Sequence, residues 1–338
     1  MRPVVMGCAL VLLVAVPAPA VAMSSDTSSP GGAWVAENPF DHARKAEQRL
    51  SFSGSVDVSW DDSRGPHSAH LDVQAAGGTI AIKGGSTLLA GPGGTTMARN
   101  PGGDWAMLWN GAPTSAGRPD VDEKYDLIPV VQSAPMMVAA RSTRIFEVRQ
   151  AGVVRERLFL DAENGLLLRR EQLDLSGHRV HVVAFASIDL GSQAPPPVAP
   201  TTLSDHSPRH LSTVSAPTAL PGGYRRVDAY RDQGAVHVLY SDGLYDMSVF
   251  EQRGGLAKRD VPETGRPVKV GSSRGWVYAW PGGQVVLWHR GHTVYSLVSE
   301  APVDQLMAAA EALPPAGGSS VVTRLRRVCR TLVQPLAG

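Results

Sequence analysis

Residues 239–250 read Leu-Tyr-Ser-Asp-Gly-Leu-Tyr-Asp-Met-Ser-Val-Phe, and this stretch decides how the second half of the chain folds. Val236, Val238 and Tyr240 alternate with His237 and Leu239, a period of two that predicts a strand. Ser-Asp-Gly at 241–243 interrupts the alternation, because Asp can bond its own backbone and Gly accepts positive φ. A second apolar run follows at 247–250. The stretch therefore predicts a β-hairpin in an antiparallel sheet.

Short strands and tight turns continue downstream of this hairpin. Residues 303–313 carry apolar side chains three or four apart until Pro314-Pro315, which predicts a helix that ends there. The predicted strands before it, with turns at Pro281-Gly282-Gly283 and Arg290-Gly291, are 267–270, 275–280, 284–289 and 293–298. The second half of the chain is therefore predicted to be a small sheet with a helix beside it.

A further, arginine-rich helix is predicted at 321–333. Its arginines lie largely off its apolar stripe, so the helix either docks on the sheet with the arginines in water or lies on an anionic membrane surface. Cys329 falls next to the apolar stripe, and we expect it to be buried.

The first half of the chain opens with helix signals and continues with strand signals. Asn38 suits an N-cap, Pro39 the first helical position and Asp41 the first turn, which predicts a helix ending near Leu50. Residues 127–131 indicate either the end of a strand or a short helix. The other predicted strands are 52–60, 69–73, 79–82, 86–89, 105–109, 144–149, 153–160, 166–174 and 179–188, with Asn164-Gly165 as a hairpin turn. One helix and nine or ten antiparallel strands predict an open, unclosed barrel or a strongly curved sheet, with the helix covering one mouth.

Residues 1–22 have the pattern of a signal peptide. Arg2 precedes an apolar run at 4–16, and Ala20-Val21-Ala22 matches a small-x-small cleavage site, although an uncleaved anchor is the alternative. We therefore expect an exported protein, in the periplasm or at the outer face of the cytoplasmic membrane. The expected organisation is a first domain at 30–192, a Pro-rich linker at 193–217 and a second domain at 218–338. A mostly β, α+β fold in two such domains suits a chain of 338 residues.

Composition and charge narrow the function classes. A hydrophobic content of 43% with 19% charged residues is typical of a globular protein. The formal net charge of +1 provides no global field for nucleic acid, so no nucleic-acid partner is expected. Cleavage of the signal peptide would remove Cys8 and leave Cys329, so we expect no internal disulfide.

The sequence shows no arrangement that indicates catalysis. The pairs His67/His70, His178/His181 and His289/His292 are three residues apart, a spacing that points to opposite faces of a strand, and no Cys-x-x-Cys accompanies them. The carboxylates Asp61/Asp62 and Asp120/Asp122/Glu123 are expected in loops, solvated. We therefore predict a binding protein, with no enzymatic activity, no metal and no cofactor.

Several stretches resemble one family. Tyr-Ser-Asp-Gly-Leu at 240–244, followed by Ser-Val-Phe-Glu at 248–251, resembles the C-terminal domain of the RseB/MucB family of extracytoplasmic regulators. Leu-Pro-Gly-Gly-Tyr at 220–224 is similar to the opening of that domain. Three earlier segments resemble its N-terminal domain, namely 138–141, 154–161 and 165–170. The glycine-rich segment at 77–103 departs from the family pattern.

The resemblance implies a fold, a function and a set of contact residues. It implies a lipoprotein-carrier-like first domain and a partner, the extracytoplasmic segment of a membrane-anchored anti-sigma factor. Binding would protect that segment from proteolysis and restrain an envelope-stress sigma factor. The contact residues expected are Tyr240, Asp242, Gly243, Leu244 and Phe250. The alternative is a lipid or lipoprotein carrier holding acyl chains on the concave face of the first domain, and a homo-oligomer remains open.

Overall fold

The computed structural model describes residues 38–62, 65–84, 87–90, 96–99, 105–109, 119–191, 209–232, 235–256 and 265–314. The predicted signal peptide, residues 193–208 of the predicted linker, and the predicted basic helix with Cys329 lie outside these residues.

The first helix, α1 (Pro39–Arg49), follows the predicted cap signals. The Asn38 side chain accepts a hydrogen bond from the Phe40 amide at 2.9 Å, and Asp41 lies in the first turn, where negative charge is favourable. Ala43 and Ala46 are buried, so this face of the helix packs on the sheet. The predicted helix is confirmed, one residue shorter than expected.

The first sheet is antiparallel and open. Its strand order is β6-β5-β4-β3-β2-β1-β12-β11-β10-β9-β7, with β8 also on β9. The two end strands do not pair with each other within the described residues, so the sheet is not closed into a barrel. Its strands are β1 (Phe52–Asp62), β2 (Gly65–Ala76), β3 (Thr79–Lys83), β4 (Thr87–Ala90), β5 (Thr96–Arg99), β6 (Trp105–Trp109), β7 (Asp126–Pro129), β8 (Met136–Val138), β9 (Arg141–Gln150), β10 (Val153–Asp161), β11 (Leu167–Leu173) and β12 (Arg179–Leu190).

This sheet has more strands than the sequence predicted. Twelve are described, whereas nine or ten were expected. The two unpredicted strands are β5 and β8, of four and three residues, too short for a period of two to be recognised. Residues 127–131 were expected to be either the end of a strand or a short helix, and residues 127–129 are the end of strand β7. A short 3-10 helix, Val121–Glu123, comes before this strand.

The second sheet is also antiparallel and packs against the second α-helix of the described residues, α2 (Val303–Ala312). Its order is β13-β15-β16-β17-β21-β20-β19-β18, with β14 also on β15. Leu306, Ala309 and Ala310 of α2 are buried in one cluster with Trp288 and Tyr295 of this sheet. Its strands are β13 (Arg209–His210), β14 (Ala219–Leu220), β15 (Tyr224–Asp232), β16 (Ala235–Ser241), β17 (Asp246–Arg253), β18 (Arg266–Val270), β19 (Ser273–Trp280), β20 (Gly283–Arg290) and β21 (Thr293–Ser299).

The cores of the two sheets are continuous. One buried cluster joins Phe146 and Leu158 of the first sheet to Tyr240 and Leu297 of the second. Another joins Phe185 of the first sheet to Leu287 of the second. The predicted mostly β fold with an open first sheet is confirmed, and the two sheets share their packing.

Candidate functional site

The turn between β16 and β17 lies at the contact between the two sheets. Asp242 closes the turn, because its Oδ1 accepts hydrogen bonds from the amides of Leu244 at 3.0 Å and Tyr245 at 2.8 Å. The predicted hairpin is confirmed, and its turn aspartate has the local role that the sequence indicated.

The other oxygen of the Asp242 carboxylate binds the segment that joins the 3-10 helix to β7. Oδ2 accepts hydrogen bonds from Lys124 Nζ and from the Tyr125 hydroxyl, the latter at 2.7 Å. Lys124 Nζ also donates to the Gly222 carbonyl at 2.7 Å. Burial and the Asp242 charge raise the pKa of Tyr125, so its hydroxyl stays protonated and donates. Both oxygens of the buried carboxylate are therefore occupied.

Gly243 allows the turn to approach the start of the 3-10 helix before β7 closely. Its φ is +93°, and a Cβ placed there would lie 2.8 Å from the Asp120 carbonyl oxygen and 2.9 Å from Val121 Cα. Only glycine satisfies both conditions without strain, since it has no Cβ and tolerates positive φ. This residue is therefore required by the contact as well as by the turn.

A buried ion triad forms a second connection between the sheets. Arg170 on β11 donates from Nε and one terminal nitrogen to Glu156 on β10, at 2.8 and 2.6 Å. Its other terminal nitrogen donates to both oxygens of Glu300, which follows β21, at 2.9 Å each. Burial alone would lower the pKa of Arg170, but the two glutamates raise it, so the guanidinium stays charged.

Two further groups at the contact have displaced pKa values. Burial raises the pKa of Glu300 to about 7, against the lowering effect of Arg170. Burial lowers the pKa of His181 to about 4, so its imidazole is neutral near neutral pH. His181 Nε2 donates to the Pro281 carbonyl in the β19–β20 turn at 2.8 Å. We call the set Lys124, Tyr125, Glu156, Arg170, His181, Asp242, Gly243 and Glu300 the sheet junction.

A row of aromatic side chains crosses the second sheet near its β13 edge. His210, Tyr230, His237 and Phe250 are successive cross-strand partners on β13, β15, β16 and β17. Their ring centroids are 5.7, 6.3 and 4.2 Å apart in that order. The His210 side chain is 60% exposed and Phe250 is half-buried, whereas His237 is buried. This aromatic row leads from solvent to the cluster that the two sheets share.

Asp228 holds the exposed end of the aromatic row. Its carboxylate accepts hydrogen bonds from Tyr230 Oη and binds His210 Nε2 at 2.8 Å. Burial and Asp228 raise the pKa of Tyr230, so its hydroxyl stays protonated. Burial lowers the pKa of His237 to about 3 and keeps its ring neutral against Phe250. Tyr230, His237 and Phe250 therefore form an uncharged aromatic surface, and the Asp228 carboxylate is fixed at the exposed end of the row.

The five residues predicted to contact a partner occupy two environments. Tyr240, Asp242 and Leu244 are buried, and Gly243 lies against Asp120 and Val121. The Tyr240 hydroxyl donates to the Pro217 carbonyl at 2.9 Å. Phe250 is the one of the five with a partly accessible side chain in the aromatic row. Direct contact by these residues stays a prediction.

Several residues of the site were not singled out from the sequence. Lys124, Tyr125 and Glu300 had no motif around them, and their partners across the sheet junction lie more than one hundred positions away. Glu123, expected to be solvated, pairs with Arg225 at 2.5 Å while both side chains remain exposed. The segment 165–170, quoted for its family resemblance, was a usable signal, because it ends on Arg170.

One stretch of the described residues matches a catalytic motif in its letters alone. Gly-x-Ser-x-Gly occurs once within the described residues, at 271–275, where it runs from the β18–β19 hairpin turn into β19, whereas a nucleophile elbow needs a strand-to-helix turn. Across the described residues, no three His, Cys, Asp or Glu side chains are grouped so that they could hold a metal ion. In the same residues, no helix is both long and apolar enough to span a bilayer.

Comparison with known proteins gave matches among solved structures. No family model matches the chain, and no curated protein sequence matches it. The chain is similar to the Pseudomonas aeruginosa MucA/MucB complex at 16% identity and TM-score 0.47, covering 83% of this chain and 98% of that chain. A crystal structure of MucB gives 18% identity and TM-score 0.48, covering 84% and 99%.

A third match is to a protein of another superfamily. A LolA superfamily protein from Nitrosomonas europaea is 10% identical with TM-score 0.22, covering 49% of this chain and 96% of that chain. The structural neighbours thus include MucB, a member of the family that the quoted residues resemble.

Proposed function

We propose that this chain is an extracytoplasmic binding protein whose partner is the external segment of a membrane-anchored anti-sigma factor. Binding would shield that segment from proteolysis and so restrain an envelope-stress sigma factor. The proposal takes its partner from the family resemblance at 240–244 and 248–251. One of the MucB structures to which the chain is similar holds MucA(peri). The observation that carries the proposal is the aromatic row, which places Phe250 of this segment on an accessible surface.

The aromatic row supplies the kind of surface that partner segments bind. Aromatic side chains bury large areas at little conformational cost and are enriched where interfaces are energetically strongest. Phe250 and Tyr230 present such area, and Asp228 fixes the Tyr230 ring through its hydroxyl. An amphipathic or extended partner segment would cover the row and continue toward the boundary between the sheets.

The sheet junction would act on binding indirectly. Asp242, Gly243 and Leu244 lie at the contact with the first sheet and hold β16 and β17 against it. Because β16 and β17 carry His237 and Phe250, the junction sets the angle at which the aromatic row faces the first sheet. Tyr240, Asp242, Gly243 and Leu244 are thus proposed as positioning residues, and Phe250 as the contact residue.

Carriage of an acyl chain is less well supported by the packing. Val56, Val58, Leu71 and Phe185 of the first sheet are each at most 4% exposed. They share a cluster with Ala46 of α1 and with Leu287 of the second sheet. An acyl chain would have to displace protein side chains to reach them, and that displacement opposes binding.

The test measures binding of the mature chain to the external segment of an anti-sigma factor encoded beside it. We expect Phe250→Ala and Tyr230→Ala to weaken binding by tenfold or more, about 1.4 kcal/mol or greater, as aromatic interface residues do. Leu175→Ala is the matched control, because Leu175 is an exposed apolar side chain in the β11–β12 turn, away from the row.

Two results would contradict the proposal. Mature protein that binds no such segment, yet co-purifies with lipid detected by mass spectrometry, would favour the carrier. Unchanged affinity in both aromatic variants, with circular dichroism showing them folded, would remove the aromatic row from the partner surface.

A further inference from the structure

The outer face of the first sheet carries a band of paired charges that the proposed function does not use. Glu147 on β9, Arg157 on β10 and Glu171 on β11 are consecutive cross-strand partners, so they share one face. Glu156 and Arg170 are sequence neighbours of Arg157 and Glu171, and they point the other way, into the sheet junction. The band therefore lies on the opposite face from the junction.

Four arginines surround the two glutamates. Glu147 accepts hydrogen bonds from Arg149, at 3.0 and 2.5 Å, and from Arg157, at 3.0 Å. Glu171 accepts from Arg169, at 2.9 and 2.5 Å, and from Arg179, at 3.3 Å. Arg157 also lies 3.9 Å from Glu171. We call these six residues the arginine band.

The arginine band carries an excess of two positive charges. Burial alone would raise the pKa of Glu147, but hydrogen bonds and charge from Arg149 and Arg157 bring it below its ordinary value, so Glu147 is ionised. Four guanidinium groups on two carboxylates leave the excess uncompensated within the band. Outside the band, the exposed Asp126 on β7 is the cross-strand partner of Arg149 and offsets one charge at that edge. Along the row of Arg169 the nearest acidic side chain is Asp57, which is bonded to His70 at 2.6 Å.

The four arginine side chains are fixed by the two glutamates and are still partly exposed to solvent. Their side chains are 37% exposed for Arg149, 38% for Arg157, 28% for Arg169 and 56% for Arg179, whereas the glutamates are 10% and 5% exposed. A guanidinium has five N–H donors, and the bonds above use only some of them. Arg169 also lies over the Phe159 ring, 5.5 Å from its centroid. The unused donors are therefore fixed in direction before any ligand arrives.

We propose that the arginine band is a docking surface for an acidic, extended segment of a partner protein. Planar guanidinium groups bind carboxylates through two parallel hydrogen bonds. Because the arginine side chains are already ordered, less side-chain entropy is lost when a ligand binds. The band crosses four strands, or about 14 Å at the usual strand spacing. Carboxylates at alternate positions of an extended chain are about 7 Å apart and lie on one side, so two or three would meet the band.

This proposal goes beyond the partner surface described above, since it concerns a second face of the molecule. An anionic membrane is the competing class, because Val153 at the start of β10 is 38% exposed and Leu175 in the β11–β12 turn, at the same end of the sheet, is 69% exposed. The band favours a peptide, since Arg157 and Arg169 lie within β10 and β11 and are held at fixed spacing by the glutamates. Diffuse membrane charge needs no such spacing.

The test uses the mature chain and a labelled ten-residue peptide in which Glu and Ser alternate. Fluorescence anisotropy should show binding that weakens as salt rises, with no binding of the matched Gln-Ser peptide. We expect Arg179→Gln and Arg149→Gln to weaken binding by about two- to fivefold each, in line with solvent-accessible charge pairs. Arg274→Gln is the control, because Arg274 is an exposed arginine of the second sheet beside Trp276.

Two outcomes would overturn the proposal. Equal affinity for the Glu-Ser and Gln-Ser peptides would show that charge is not recognised. Binding to phosphatidylglycerol vesicles without binding to the Glu-Ser peptide would assign the band to a membrane instead. Arg179 makes one 3.3 Å bond and is largely exposed, so Arg179→Gln is expected to stay folded and keeps the test decisive.

Discussion

At the scale of single residues, Gly243 links the local turn to the contact between the sheets. We predict that Gly243→Ala lowers the free energy of unfolding by about 2–4 kcal/mol, since it adds strain at positive φ and an overlap with the backbone at Asp120 and Val121. Urea unfolding followed by circular dichroism measures this change.

Gly177 provides the matched control for that substitution. Its φ of +84° is close to that of Gly243, but a Cβ there would meet nothing within 4 Å. Gly177→Ala should therefore show only the strain of positive φ, about 1 kcal/mol. Equal losses in the two variants would mean that the close approach at Gly243 contributes nothing.

Glu300 should give the free energy of unfolding a dependence on pH. In the folded protein its pKa is about 7, against an ordinary value of 4.5. Between these values the unfolded chain has lost the proton while the folded chain keeps it, so stability is greatest below pH 4.5 and falls as pH rises to 7. The loss from this group is about 3 kcal/mol.

Glu300→Gln should remove that fall, because the amide cannot ionise and still offers an oxygen to Arg170. Urea unfolding at pH 5 and pH 8 should therefore show the variant gaining stability relative to the natural protein at the higher pH. Parallel pH profiles for the two proteins would contradict the raised pKa.

At the scale of elements, the pairing of β1 with β12 depends on one glycine. A Cβ on Gly54 would lie 2.1 Å from the Ser187 carbonyl oxygen, next to the irregular pairing at Ser55 and Val56. We predict that Gly54→Ala forces these strands apart and lowers the free energy of unfolding by about 2 kcal/mol or more. Thermal unfolding followed by circular dichroism measures the loss.

Gly255 is the control for this element, because a Cβ there would meet nothing within 4 Å and its φ is not in the left-handed range. Gly255→Ala should leave the thermal midpoint nearly unchanged. A Gly54→Ala variant as stable as Gly255→Ala would show that β1 and β12 can separate without loss.

The strands show how far the sequence could predict this molecule. A period of two and the turn at Asn164-Gly165 placed β10 and β11 within one residue of their observed bounds. These signals depend on residues that are close together in the chain, so they can be read from one sequence. The sheet junction is not local, since Lys124 and Asp242 are 118 positions apart and Arg170 and Glu300 are 130 apart. No periodic pattern in the sequence connects residues that are so far apart. The aromatic row could not be predicted either, because its four residues become neighbours only through the pairing of their strands.

At the scale of the whole molecule, the shared clusters imply that the two sheets unfold together. The division into two domains on a Pro-rich linker stays a prediction. In the structure, Arg170 is buried between Glu156 of its own sheet and Glu300 of the other. Separating the sheets would expose these charges and the apolar residues that both sheets contribute. Cooperative unfolding follows when such contacts join the parts.

We therefore predict one unfolding transition, with hydrogen exchange in β10–β11 and in β16–β17 reporting the same free energy of unfolding. Arg170→Met should lower both values together by about 3–5 kcal/mol, because it leaves two buried carboxylates without their cation. Arg179→Met is the control, since Arg179 is exposed and bonds one carboxylate that keeps another arginine. Two separate transitions in the natural protein, or an Arg170→Met effect confined to one sheet, would mean that the junction does not couple the sheets. The aromatic row and the first sheet would then be free to change their relative angle, and the positioning role proposed for Asp242 and Gly243 would fail with them.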